Sequence, residues 1–330
     1  MTKKIAIIGA GLAGSVLAER LSFSADVTLF EKSRGTGGRI SSCRLDDYSA
    51  DLGAPWFSPS TERFRMWLEQ QPEITRWQPQ VCDFNHVQTA SDCLYVAGPK
   101  QSALTRRLSS YAKLITQCRV ASVLPRPTEQ TPRTLLHDDQ LIELGCFDSV
   151  IITTPVQQAK ALLEAIPEFS NRTASISTDP CWVCVVKIKG QLDSADVFYG
   201  DHPVLFRCTK DSAKPGRQSE ENCETWVLEA TKHWSTNHID ANATDIFDAL
   251  YAAFCQLIHK TPDILSSRTH RWLLARHRMV CPTPFLWNSE TGIGACGDWF
   301  NGVGLTNQNG IETSWLSANA LADAILQESL

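Results

Sequence analysis

The opening segment "KKIAIIGAGLAGSVLAERL" leaves few folds open to this chain. Its apolar run ends in glycines, as expected of a strand buried on both faces of a parallel sheet. Leu12, Val16, Leu17 and Leu21 then form a helical stripe. "DVTLFE", Asp26 to Glu31, reads as a second strand, so the three pieces make a βαβ unit. Between strand and helix stands G-x-G-x-x-G, made by Gly9, Gly11 and Gly14 around Leu12 and Ala13. The first glycine allows the tight turn, the second admits a pyrophosphate to the backbone, and the third lets helix and strand pack closely. The pyrophosphate then meets the positive end of the helix dipole. Glu31, 22 positions after Gly9, ends the second strand where a carboxylate can accept hydrogen bonds from both ribose hydroxyls. An ADP-containing dinucleotide is the expected ligand.

That fingerprint does not separate NAD from FAD, but the stretch after it does. In "KSRGTGGRISS" a glycine pair, Gly37-Gly38, precedes Arg39, bringing more backbone and a fixed cation to a diphosphate. A simple NAD dehydrogenase needs neither. The bland alternative is a solvated glycine turn. FAD, held non-covalently, is the expected cofactor.

Composition narrows the rest. The 330 residues have room for two domains, and 43 % hydrophobic with 20 % charged residues is ordinary for a globular chain. A net charge of −5 argues against nucleic acid or an anionic membrane as the main partner. No apolar run approaches the roughly 20 residues of a membrane span. The glycines interrupt what would otherwise begin like a signal peptide, so a cytoplasmic protein is expected. Twelve cysteines are scattered without repeated spacing. "CWVC", Cys181 to Cys184, lies in a strand-like run, which would point its thiols to opposite faces and away from a shared metal. Eight histidines show no metal spacing either.

Further along, Ser58-Pro59 looks like a helix start, with Phe64, Trp67 and Leu68 on the helix. "YVAGPKQSALTRRL" predicts a strand, a Gly-Pro turn and a helix from about Ser102, and "SVIITTP" another buried strand. In the middle, "CWVCVVKIKG", "TWVLEATKHW" and "THRWLLAR" read as strands, interrupted by a helix over Asp240 to His259. "TGIGACGDWF" is a last strand, followed by a Gly/Asn loop and a helical "IETSWLSANALADAIL". A β-rich middle between α/β ends implies an inserted domain. The expected division is 1–56, 99–165 and 285–330 for a discontinuous Rossmann-type FAD domain, with 57–98 and 166–284 for a β-rich α+β substrate domain.

"GAGLAG…FEKSRGTGGRISS…ADLGAPWF" resembles the FAD-binding N-terminus of the flavin amine oxidase superfamily. With "YVAGPKQSALTRRL", "VIITTPVQQAKALL", "TWVLEATKHWS", "THRWLLAR" and "ACGDWF", the chain looks most like the renalase-like branch. The resemblance implies that Glu31, with Lys32 beside it, holds the adenosine ribose, and that Gly38 and Arg39 lie on the diphosphate. It implies that Gly53 and Ala54 pass close to the flavin and that the Val120 backbone meets the adenine. Asp298 would reach the ribityl or diphosphate, and Ile311 the pyrimidine edge of the ring. The sequence departs from bacterial relatives in the longer loop "FNGVGLTNQNG" before that residue.

Trp56, Phe57 and Ser58, placed beside the flavin by the same resemblance, are the substrate candidates, with Tyr95 as a further one. Lys187 lacks the surroundings of a flavin-bridging lysine, and structural roles are expected for His270 and Arg271. There is no nucleophile elbow or catalytic triad, consistent with a site whose redox chemistry belongs to the cofactor. The expected activity is an FAD-dependent oxidase. It would take a hydride from a small reduced substrate, by resemblance an isomeric dihydro-NAD(P), and dioxygen would reoxidise the flavin to give hydrogen peroxide. Its rivals are a primary-amine or polyamine oxidase and a non-catalytic FAD-binding protein.

Overall fold

The computed structural model describes residues 2–46, 48–90, 92–126, 134–164, 166–218, 220–301 and 310–328. Its first sheet has six strands in the order Leu286–Asn288, Ile293–Ala295, Ser149–Ile152, Lys3–Ile8, Ala25–Phe30, Lys113–Ile115. All neighbours run parallel except the first pair. Strand Lys3–Ile8 shows why its sequence is apolar throughout. Successive side chains point to opposite faces, and both faces are covered. Ile5 and Ile7 join a core with helices Leu12–Leu21, Ser102–Ser109 and Gly310–Gln327. Ala6 and Ile8 join a second core, under the three-stranded sheet Val120–Pro125, Thr134–Asp138, Glu143–Phe147 and helices Val156–Leu163 and Pro167–Thr173.

The second large sheet is mostly antiparallel, in the order Ile264–His277, Thr178–Lys189, Cys223–Ala230, Leu205–Lys210, Val197–Tyr199, Val81–Cys82. One face carries Trp182, Cys184, Val186, Trp226 and Leu228 against helix Ala243–Ile258. The other carries Cys181, Val183, Val185 and Val227 against the hairpin of Ser42–Leu45 and Tyr48–Asp51. Cys181 and Cys184 thus lie on opposite faces, and all twelve cysteines are free.

Three sequence boundaries are corrected. The helix expected at Ser58-Pro59 begins at Glu62, because the Thr61 hydroxyl caps it by accepting from Phe64 N at 3.2 Å. Phe64, Trp67 and Leu68 lie on it as expected, Phe64 and Leu68 buried and Trp67 partly so. The run "TWVLEATKHW" is not all strand: it ends at Ala230, and Thr231 caps a short helix, Lys232–Asn237. The long helix is Ala243–Ile258, capped by Asn242, which accepts from Asp245 N at 2.9 Å, and closed by His259 in the left-handed region. The Gly/Asn loop at 302–309 lies outside the described residues. Among those described, no helix is long and apolar enough to cross a membrane.

Candidate functional site

The glycine turn is built as the motif requires. A Cβ at Gly14 would lie 1.9 Å from the Gly9 carbonyl oxygen, so only glycine allows strand and helix this close. The Thr153 hydroxyl fixes the turn from the next strand, donating to the carbonyls of Ile8 at 3.0 Å and Gly9 at 2.8 Å. Gly11 is the opposite case, since an added Cβ would meet no heavy atom within 4 Å. Leu12 and Ala13, both buried, start the helix above it. Its first-turn N–H groups have no intrahelical acceptor and face the opening that Gly11 leaves.

Glu31 does more than end its strand. It is buried at 7 % exposure; one carboxylate oxygen accepts from Ala10 N at 2.9 Å and the other from Ser33 N at 2.8 Å. The carboxylate therefore ties both glycine loops together while retaining lone pairs for a ribose. Lys32, largely exposed, stands beside it, its pKa lowered by partial desolvation and by the nearby Arg119 charge. Val120, buried, starts its strand two residues after Cys118, whose N–H donates to the Glu31 carbonyl at 3.0 Å.

The second glycine loop docks on the first. Gly37 N donates to the Ala10 carbonyl at 2.8 Å, and Gly37 bridges Gly11. A Cβ at Gly38 would touch little beyond the Gly11 Cα, 3.4 Å away, so the two loops enclose one open cradle. Gly53 closes its far side: Ala54 N donates to the Arg39 carbonyl at 2.9 Å, and a Gly53 Cβ would fall 1.9 Å from that oxygen. These features fit the diphosphate of an ADP-containing cofactor.

Arg39 does not stand alone. It makes two 2.6 Å contacts with the Asp298 carboxylate, on which His277 Nε2 also converges at 3.1 Å. Burial alone would raise the Asp298 pKa, but Arg39 and His277 outweigh it and hold the carboxyl well below the usual range. His277 comes from the antiparallel sheet, and its buried Nδ1 has no partner among the described residues. Nothing in the sequence near His277 marks it; only the sheet brings it to Arg39. Gly310 begins the final helix beside Asp298, which a Cβ added at Gly310 would approach to 3.6 Å, and Ile311, partly buried, follows it.

The substrate candidates separate. Trp56 is partly exposed and lies under the Arg207 guanidinium, 4.6 Å from its ring centre. Phe57 points the other way, fully buried in the core with Phe64, and Ser58 is exposed. Tyr95 is also core-buried, its hydroxyl donating at 2.6 Å to Glu69. The structure therefore does not bring Phe57 and Tyr95 together with Trp56 at one surface: the backbones of Phe57 and Tyr95 bridge each other and both side chains are buried in the core. Lys187 pairs with Glu220 at 2.5 Å and lies over the Tyr48 ring. Arg271 donates to the Ile239 carbonyl, and His270 packs on Trp272 at 4.5 Å.

Just before Gly53, Asp51 is at the centre of a buried ion cluster. Its carboxylate accepts from Ser42 Oγ and Gln101 N, both at 2.9 Å, from Lys214 Nζ at 2.8 Å, and from Arg217. Lys214 also holds Asp211 at 2.5 Å. Lys214 and Arg217, in the turn-like stretch "SAKPGRQ" that follows strand Leu205–Lys210, thereby tie the antiparallel sheet to the hairpin strand Tyr48–Asp51.

A sequence profile of the NAD(P)-binding Rossmann-like domain matches residues 7–70. Coproporphyrinogen III oxidase of Staphylococcus aureus is 45 % identical over 56 residues, 16 % of this chain and only 12 % of that protein. Solved structures match over nearly the whole length. A protein assigned as a protoporphyrinogen oxidase from Exiguobacterium sp. 255-15 superposes with TM-score 0.76 at 12 % identity, covering 99 % of both chains. Reduced UDP-galactopyranose mutase gives 0.70 at 14 %, covering 99 % of this chain and 96 % of that one. A putrescine oxidase variant redesigned at its cofactor site gives 0.72 at 11 %, covering 99 % of both. The chain shares their fold. It has a Rossmann-type dinucleotide-binding domain with an inserted β-rich unit.

Proposed function

We propose that this protein is an FAD-dependent oxidoreductase that takes a hydride from a small reduced substrate, an isomeric dihydro-NAD(P). The observation that carries the reading is the docking of the second glycine loop on the first, with Arg39 locked to Asp298 beside it. An NAD domain of the simple kind needs one such loop; a cradle with two suits the longer cofactor, as the likeness to the oxidases above also suggests. When bound, FAD supplies the electron sink and, with dioxygen as acceptor, yields hydrogen peroxide.

The chain's own residues bind and orient. Gly11, Gly14 and the first turn of the helix hold the diphosphate, and Glu31 accepts from the ribose. Arg39, fixed by Asp298 and His277, adds its charge where the two domains meet. Trp56, three residues past Gly53, gives a flat wall for a planar substrate. A dihydropyridine losing a hydride becomes an aromatic cation, so no side chain has to remove a proton. In this reading 1–56, 99–165 and 285–330 bind the cofactor, and 57–98 and 166–284 form the substrate unit.

The test is anaerobic mixing of the purified holoprotein with a substrate panel while flavin absorbance is followed. Dihydronicotinamides reduced at the ring positions adjacent to the usual one should bleach it fast, and ordinary NAD(P)H slowly. Faster bleaching by benzylamine or a polyamine would give the site to amine oxidation. No bleaching by either set would refute the substrate assignment.

A further inference from the structure

Behind Trp56 the antiparallel sheet presents an arrangement of charge that the cofactor reading does not use. Glu229 is opposite Arg207 in the sheet register, and it shares a face with Val227, the face turned to the hairpin of Ser42–Leu45 and Tyr48–Asp51. Its carboxylate receives two guanidinium groups, one oxygen accepting from Arg207 and the other from Arg276. Burial alone would raise the Glu229 pKa, but the two arginines outweigh it and keep the group ionised.

The register shift between Leu205 and Arg207 leaves Phe206 without a cross-strand partner. Both guanidiniums lie against that ring, Arg276 at 4.2 Å and Arg207 at 5.4 Å, while Arg207 also covers Trp56. Each guanidinium has five N–H donors, and each makes one hydrogen bond to Glu229 among the described residues. Arg207 is 17 % exposed and Arg276 45 %, so both guanidiniums are partly desolvated in an aromatic setting and Arg276 is the more open to solvent.

The excess of positive charge continues along the same strand ends. Arg278 and Lys232 converge on the single carboxylate of Asp179 and line an open surface depression with Thr231, His233 and Thr236. Four cationic side chains therefore meet two carboxylates, in a chain whose net charge is −5. An ammonium group would be repelled here, whereas a carboxylate or phosphate would find bidentate donors above an aromatic ring.

We infer that Arg207 and Arg276, held in place by Glu229 and backed by Trp56 and Phe206, form an anion clamp. It takes the carboxylate or phosphate of a planar substrate. The clamp rests on the proposed substrate wall at Trp56, and it deepens that reading by setting the charge of the substrate.

Benzoate and benzylammonium share a ring and differ in the sign of their charge, so calorimetric titration of the holoprotein with each tests the clamp. Benzoate should bind at least about tenfold more tightly than benzylammonium, and increasingly so at low salt. Arg276→Gln, at the more exposed arginine, should weaken benzoate about tenfold and leave benzylammonium unchanged or improved. Arg207→Gln should do the same where the variant retains the wild-type melting temperature. Equal or tighter binding of benzylammonium, or benzoate affinity unchanged in Arg276→Gln, would overturn the inference. Flavin content of the same samples keeps the two readings apart. A yellow protein that prefers benzylammonium defeats only the clamp. A colourless one that cannot be loaded with FAD defeats the cofactor reading, and the heats still report the clamp.

Discussion

An alanine at Gly11 puts its methyl into open space, on a backbone with φ −75° and ψ −172° that any residue adopts. Without cofactor, Gly11→Ala should fold normally and gain roughly 0.4–1 kcal/mol from the lost freedom of the unfolded chain. Its methyl stands where the diphosphate must approach the backbone, so FAD affinity should fall at least about tenfold, roughly 1.4 kcal/mol. Gly14→Ala is the counterpart. Its Cβ would sit 1.9 Å from the Gly9 carbonyl oxygen, where real contacts stay above 3.0 Å, so the helix must move off the strand. Overpacking of this kind costs about 1–3 kcal/mol or more, at roughly 2–4 °C of melting temperature per kcal/mol. Melting curves of the two apoproteins, with FAD titrations followed by flavin fluorescence, separate the effects. Wild-type FAD affinity in Gly11→Ala would refute the placement of the diphosphate. A wild-type melting temperature in Gly14→Ala would refute the packing argument.

Glu31→Ala should weaken FAD binding by about one to two powers of ten, as expected for loss of charge-assisted hydrogen bonds of roughly 1.5–3 kcal/mol; titration of apoprotein reads it directly. Asp51→Asn should destabilise the fold by about 3–5 kcal/mol at neutral pH, because it leaves Lys214 and Arg217 buried against too little negative charge. Burial opposes ionisation of Asp51, yet Lys214 and Arg217 depress its folded pKa below the ordinary 3.8. Its contribution is thus complete above the unfolded value and lost as pH falls through the folded one. Denaturant melts should show the gap between variant and wild type narrowing below about pH 4. Alkylation at mildly alkaline pH should label exposed Cys93 first. Cys184, pushed up to about 12 by burial, should react only after unfolding, as peptide mass mapping would show.

The nucleotide-type half was legible because its constraints are local. Gly9 to Gly14 and Glu31 belong to one βαβ unit and Gly37-Gly38 follow shortly after it, and Gly9, Gly37 and Gly38 take left-handed backbone angles that few other residues adopt. Helix starts were legible less exactly: Thr61 and Thr231 win as caps over the proline signal and the strand-like run, since a cap depends on which hydroxyl reaches a free N–H. The remaining parts of the site were not legible. His277 reaches Asp298, and Arg207 reaches Trp56, only through register in a sheet assembled from distant segments. Trp56 and Phe57 are adjacent in sequence, yet the bridge of Phe57 to Tyr95 places Phe57 in the core while Trp56 stays half-exposed against Trp77.

Denaturing the purified, gel-filtered protein and identifying the released chromophore by mass shows whether the two glycine loops hold FAD without a covalent bond. FAD, about one per chain, should be found entirely in the supernatant after heat or acid. A flavin that stays with the precipitated polypeptide, or a colourless protein that takes up no FAD on reconstitution, would contradict such binding.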